Sequence, residues 1–258
     1  MASVALALLL VALAMRIMAD NSSVRKDIPS YMVRLIHPSY TTTFCTGVLI
    51  APQYAVTSTQ CAQTVATAMV GSSLEIYRIN KWYVHPQHNF KTLAFDAVVI
   101  ELNHSTTNRP AKLNFDVLAP GTEVVVHGFD RFEESDENRS GLHEKVGQTL
   151  PSADCVAKDN AKLSEDMVCI SGPILCGGGN LGAPATTMKN GEPVVVALVS
   201  WYANKCTDDY TGYARITAAK SFLVSFLETN DVCTAFAFQR PQLTLQRRPQ
   251  ETKLGISA

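Results

Sequence analysis

The chain has 258 residues, of which 47% are hydrophobic, enough to bury one large core or two smaller ones. Its formal net charge of -1 gives no basic field that would draw nucleic acid or an anionic membrane, so neither is expected as a partner.

The N-terminal MASVALALLLVALAMRIMAD holds an apolar stretch from Val4 to Met15, too short to span a bilayer and long enough for the core of a secretory signal. Small residues fit cleavage after Ala14 or after Ala19. The second leaves the more ordinary length, so residues 1–19 are expected to be a signal peptide and the mature chain to be extracellular. A buried helix is the competing reading, and the polar DNSSVRKD that follows argues against it. No later segment approaches membrane-spanning length, so no membrane contact is expected once the signal is gone.

Beyond residue 28, runs of Val, Ile, Leu and Tyr recur between turn signals: YMVRLI, TGVLIA, EIYRINKWYV, AVVIEL, EVVVHGF, PVVVALVSWY and TGYARI. This spacing predicts an all-β sandwich or barrel. The acidic, polar DRFEESDENRSG at 130–141 reads as an exposed loop. One amphipathic helix is predicted, in ITAAKSFLVSFLETN, where Ala219, Phe222, Leu223, Phe226 and Leu227 recur at helical spacing and make a core-docking face. It closes a domain expected over 20–232. The prolines and polar residues of the 233–258 tail predict disorder.

Seven cysteines are consistent with an oxidising compartment, where six can pair and one is left over. The sequons at Asn21, Asn103 and Asn138 are candidate glycan acceptors on an exported chain. The six histidines are scattered; His85 and His88, the nearest pair, lack a third ligand at zinc-type spacing, so no metal is expected, and no cofactor motif is present.

The pieces FCTGVLIAPQYAVTSTQC, FDAVVIEL, GTEVVVHGF, DMVCISG, CGGGNLGAP and ALVSWY follow one another in the order and spacing of chymotrypsin-type serine proteases, and from roughly Ile28 to Thr229 the chain resembles that family. The resemblance implies two six-stranded antiparallel β-barrels with a C-terminal helix on the second. It also implies the disulfides Cys45–Cys61, Cys155–Cys169 and Cys176–Cys206, each stabilising by about 3 kcal/mol for loops of this size. Cys233 then has no assigned partner.

The family's catalytic histidine stands before a cysteine in T-A-A-H-C, where this chain has Thr57-Ser58-Thr59-Gln60-Cys61. An amide does not titrate near neutral pH and cannot serve as the general base. G-D-S-G-G-P aligns with Gly179-Asn180-Leu181-Gly182-Ala183-Pro184, which puts Leu181 in place of the nucleophilic serine. An extra glycine between Cys176 and that motif puts the backbone donors of an oxyanion hole in doubt.

Asp96 matches the triad aspartate. Facing Gln60 it can only accept hydrogen bonds, and it reads as a buried carboxylate kept by backbone and amide donors. Asn180 replaces the aspartate that pairs with a new I-V-G-G terminus in active members, and the matching stretch here is Arg16-Ile17-Met18-Ala19-Asp20. The pocket floor falls near Ile174, and Ser200-Trp201-Tyr202 replaces S-W-G. Tyr202 either fills the primary pocket or points outward as an interface anchor, and Trp201 either packs in the core or joins Tyr202 as an anchor, core packing being favoured.

Three functions are compatible with these residues. The first is a secreted, non-catalytic homologue that binds another protein. The short N-terminus without an accessory domain, the joint loss of serine and histidine, and the export signal are similar to the glucanase inhibitor proteins of oomycete plant pathogens, a class of virulence effector. That resemblance implies a host endo-β-1,3-glucanase as partner. The second is a pseudoprotease with a different extracellular partner, and the third a protease with a rearranged site using Ser200 or a neighbouring hydroxyl, for which no residue supplies the base.

Overall fold

A computed structural model of the chain describes residues 28–39, 43–62, 64–73, 75–129, 142–159, 164–172, 178–202 and 210–227. The expected signal peptide, the acidic 130–141 loop, the tail, Asn21, Asn138, Ile174, Cys176, Cys206 and Cys233 lie outside them.

Side chains alternate across a strand, so Val33 and Leu35 of β1 (Met32–Ile36) share one face, as do Ile100 and Leu102 of β6 (Val98–Leu102). These four, with Leu49 of β2 (Thr43–Ala51), Ala55 of β3 (Tyr54–Thr57), Val70 of β4 (Thr67–Val70) and Tyr77 of β5 (Ile76–Val84), form one buried cluster. It fills a closed six-stranded antiparallel barrel of order β1-β2-β3-β6-β5-β4. A second closed barrel, in the order β10-β11-β12-β9-β8-β7, is built from β7 (Glu123–Gly128), β8 (His143–Thr149), β9 (Met167–Ser171), β10 (Pro184–Lys189), β11 (Glu192–Tyr202) and β12 (Tyr210–Arg215). Val124, Val126, Val168, Ile170, Val194, Val196, Val199 and Tyr213 fill it.

The two barrels meet along a third apolar cluster that joins Val48, Ile50, Val56 and Val99 of the first to Val195, Leu198 and Ile216 of the second. Strands β2 and β11 therefore bury both faces, which is why their sequences read as continuous apolar runs without alternation. The all-β expectation and the twin-barrel architecture are both found.

The C-terminal helix spans Lys220–Leu227, shorter than its apolar pattern because Ile216 to Ala219 form a turn that leads into it. Leu223 and Phe226 are buried, and the helix docks across the cluster between the barrels. Phe226 meets the rings of Tyr54 at 5.3 Å and Tyr83 at 5.1 Å, both on the first barrel.

A second helix, Ser152–Asp159, departs from the expectation of a single helix. Its eight residues are low in apolar content, and Pro151 precedes it at a position compatible with a helix start. Cys155 on this helix bonds Cys169 on β9, and Cys45 on β2 bonds Cys61, both as the family resemblance implies.

One buried histidine ties the first barrel to that C-terminal helix. The His85 ring stacks on Phe95 at 4.8 Å and meets the edge of Phe222 at 5.0 Å, and its Nδ1 accepts the Gln87 N–H at 3.2 Å. Burial holds its pKa below the usual histidine value; the Asp166 carboxylate opposes that shift and His88 adds to it. The unfolded chain, with histidine near pH 6.5, therefore binds more protons than the folded one over the interval below that pH. The stability from this group is full above about pH 6.5 and lost as pH falls through the interval. The urea midpoint should be lower at about pH 5.5 than at about pH 7.5, and His85→Gln should shrink the difference; an unchanged slope in the variant would assign the acid sensitivity to other groups.

Candidate functional site

Where the barrels face each other, the turn Thr59–Cys61 after β3 comes against the loop before β6 and the end of β11. Ser58 caps the turn, and the Cys45–Cys61 disulfide pins it to β2. Asp96 sits at the centre and is fully buried. Its Oδ1 accepts the Thr59 N–H at 2.7 Å, and its Oδ2 accepts the hydroxyls of Ser58 at 2.8 Å and Ser200 at 2.5 Å. A carboxylate out of water needs such donors to stay charged without a large penalty.

The expectation for Asp96 is corrected in one respect. The backbone donor is present, but the amide is not: Gln60 turns away, and its Nε2 donates to the Ser200 carbonyl at 2.7 Å. The two serine hydroxyls supply the remaining bonds. Ser58 was not singled out from the sequence, although a serine ahead of a short turn is a capping signal.

Ser200 is the extra residue of a β-bulge. Val199 pairs with Tyr213 and Trp201 with Gly212, so Ser200 has no partner on β12. The bulge aims its hydroxyl at Asp96 and its carbonyl at Gln60. Ser200 is fully buried.

Leu181 follows the short helical turn Gly178–Asn180. Its carbonyl accepts the Thr46 N–H at 2.8 Å, and the Thr46 hydroxyl donates to the Gly179 carbonyl at 2.7 Å. The Leu181 side chain is half-buried and packs against the interior clusters of both barrels. Gly182 next to it has φ +78°, and a Cβ there would lie 2.0 Å from the Thr57 hydroxyl and 2.3 Å from the Thr46 carbonyl, so only glycine fits. Asn180 is fully buried. Its expected counterpart near residues 16–20 lies outside the described residues.

Trp201 is a packing residue. Its Nε1 donates to the Met167 sulfur at 3.3 Å, its ring meets Tyr210 edge-on at 6.2 Å, and a Cβ on Gly212 would fall 2.1 Å from it. Tyr202 pairs with Thr211 and lies half-buried against the second barrel's cluster, with Ala183, Val199 and Tyr213 among that cluster's members. Among the described residues no group of His, Cys, Asp and Glu is placed to hold a metal ion. His88 instead bonds the Ala94 carbonyl through Nδ1 at 2.9 Å.

The twin barrels and this arrangement of turn, aspartate loop and bulge accompany a match of residues 20–223 to the family described as Trypsin. The chain belongs to the trypsin family. The match ends within the C-terminal helix. Over 166 residues this trypsin-family chain is 26% identical to a protein of Aedes aegypti named inactive CLIP domain-containing serine protease A3, with 58% of the chain and 35% of that protein covered. The chain thus spans about a third of the length of that curated relative. Disulfide-bonded trypsin-like domains are typical of extracellular proteins, and no helix among the described residues is long and apolar enough to cross a membrane.

The geometry separates the residue that holds the site together from the one that rests on it. Asp96→Ala should lower stability by about 3 kcal/mol, since it strips the partner from buried donors. Gln60→Ala should cost less, about 1 kcal/mol, because it removes one neutral hydrogen bond made by a side chain that is itself exposed. Urea unfolding of the two variants measures both; equal losses would remove Asp96 from its central place.

Proposed function

We propose that the chain is a secreted, non-catalytic member of the trypsin family that acts by binding another extracellular protein, and that this partner is a host endo-β-1,3-glucanase whose action on wall glucan it blocks. The observation that carries the non-catalytic reading is the state of the two reactive positions. Gln60 is bonded to the Ser200 carbonyl through a group that cannot take up a proton near neutral pH, and Leu181 has no hydroxyl and is packed between the barrels. Loss of either serine or histidine alone costs a serine protease about a millionfold in turnover.

Ser200 offers no substitute nucleophile. It is fully buried and its hydroxyl proton is directed at Asp96, so a substrate carbonyl has no path to it. The name of the Aedes aegypti relative, which calls that protein inactive, supports the same reading. Export is supported by the apolar N-terminal stretch and by the two disulfides. The glucanase is supported by the similarity, in joint loss of both reactive residues and in the export signal, to the glucanase inhibitor proteins.

The purified chain should hydrolyse neither peptide nor ester substrates and should not react with a fluorophosphonate probe. The double variant Gln60→His, Leu181→Ser should gain little activity, because Asn180 stays in place of the aspartate that active members use. Labelling of the natural chain that disappears on mutating one hydroxyl residue would overturn the non-catalytic reading.

Mixing the chain with a panel of plant endo-β-1,3-glucanases should give a stoichiometric complex and a matching fall in glucan release. Inhibition should require intact disulfides and should survive the double variant. Absence of a complex with every glucanase would remove that partner and leave a non-catalytic binder of another extracellular protein.

A further inference from the structure

Asn103, His104 and Ser105 form a sequon directly after β6, and all three residues are exposed. Asn103 is fixed to the neighbouring strand β5 by a reciprocal pair of bonds. Its backbone N–H donates to the Arg78 carbonyl at 2.9 Å, and its side-chain Oδ1 accepts the Arg78 N–H at 2.9 Å. A backbone N–H can be accepted only by the oxygen of the amide, so the orientation of the Asn103 side chain is determined by chemistry. Its Nδ2 makes no hydrogen bond among the described residues and belongs to an exposed residue at the end of a strand.

We propose that Asn103 carries an N-linked oligosaccharide in the exported protein, which rests on the secretion part of the function proposed above. The donor is a lipid-pyrophosphate-linked oligosaccharide. The Asn103 amide nitrogen forms a bond to the anomeric carbon of the first sugar, the bond from that carbon to the pyrophosphate oxygen breaks, and the amide gives up one proton to the transferase. The lipid pyrophosphate leaves with the bonding electrons, and nothing is oxidised or reduced.

The folded geometry accommodates this product without rearrangement. Substitution at Nδ2 leaves the amide carbonyl in place, so the bond from the Arg78 N–H persists in the modified chain. The glycan stands away from the cleft. Strand β6 (Val98–Leu102) runs between Asp96 and Asn103, and at about 3.3 Å per residue these two sit on the order of 20 Å apart. A large, hydrated chain on Asn103 therefore covers the far end of the first barrel and leaves the approach to Gln60 and Leu181 open to a protein partner.

The test expresses the full chain in a eukaryotic secretory host, once with its own N-terminus and once behind an established secretory leader. Secreted protein is treated with peptide-N-glycosidase and mapped by mass spectrometry. Asn103 is expected as aspartate after treatment, and the untreated peptide is expected to carry a glycan. Ser105→Ala should abolish that glycan while leaving the Asn103 bonds to Arg78 and the unfolding midpoint unchanged, since the Ser105 hydroxyl makes no hydrogen bond among the described residues; Ser105→Thr should keep the glycan. Asn103→Gln, which disturbs the strand contact, is the less informative variant. An unmodified Asn103 in chain secreted behind the established leader overturns the proposal. Modification only in that arm upholds Asn103 and overturns export by the chain's own N-terminus.

Discussion

A charged carboxylate buried between two barrels has to be compensated from both sides, and Asp96 sets that condition for the centre of this protein. The first barrel supplies the Ser58 hydroxyl and the Thr59 N–H, and the second supplies the Ser200 hydroxyl. Each donor is held by local geometry, Ser58 and Thr59 by the capped turn and Ser200 by the β-bulge. The carboxylate acts as a rivet between the two barrels. An apolar residue there would leave three donors without an acceptor in a buried region.

Gln60 and Leu181 serve the same end. The Gln60 amide crosses from the first barrel to a carbonyl of the second, and the Leu181 side chain touches the apolar interiors of both. Both contacts tie the two barrels together along their seam.

Much of this was legible in the sequence, for a physical reason. Strands β2 and β11 bury both faces, and β6 nearly does, so their composition alone announced them. The Cys45–Cys61 and Cys155–Cys169 pairs were readable because motifs fix them in order along the chain. Strand β8 was not: its burial pattern is almost wholly exposed, and it exists because β7 pairs with it along its length and β9 closes the barrel through two residue pairs. Strand β10 carried an overlooked signal in Asn190-Gly191, both with positive φ, which form the tight turn of its hairpin with β11. The direction of the Gln60 side chain was beyond sequence reasoning, since its acceptor is a backbone carbonyl 140 residues away that only the bulge turns toward it.

The C-terminal helix has a consequence for the order of assembly. Tyr54, Tyr83 and His85 belong to the half of the molecule made first, yet the rings that cover them, Phe222 and Phe226, come after the last strand of the second barrel. Domains emerge from the ribosome in sequence order, so the early barrel waits with an aromatic patch uncovered until translation has passed residue 226. A ribosome stalled within the second barrel would leave an adhesive intermediate, and the helix acts as the clasp whose arrival converts two nascent barrels into one finished unit.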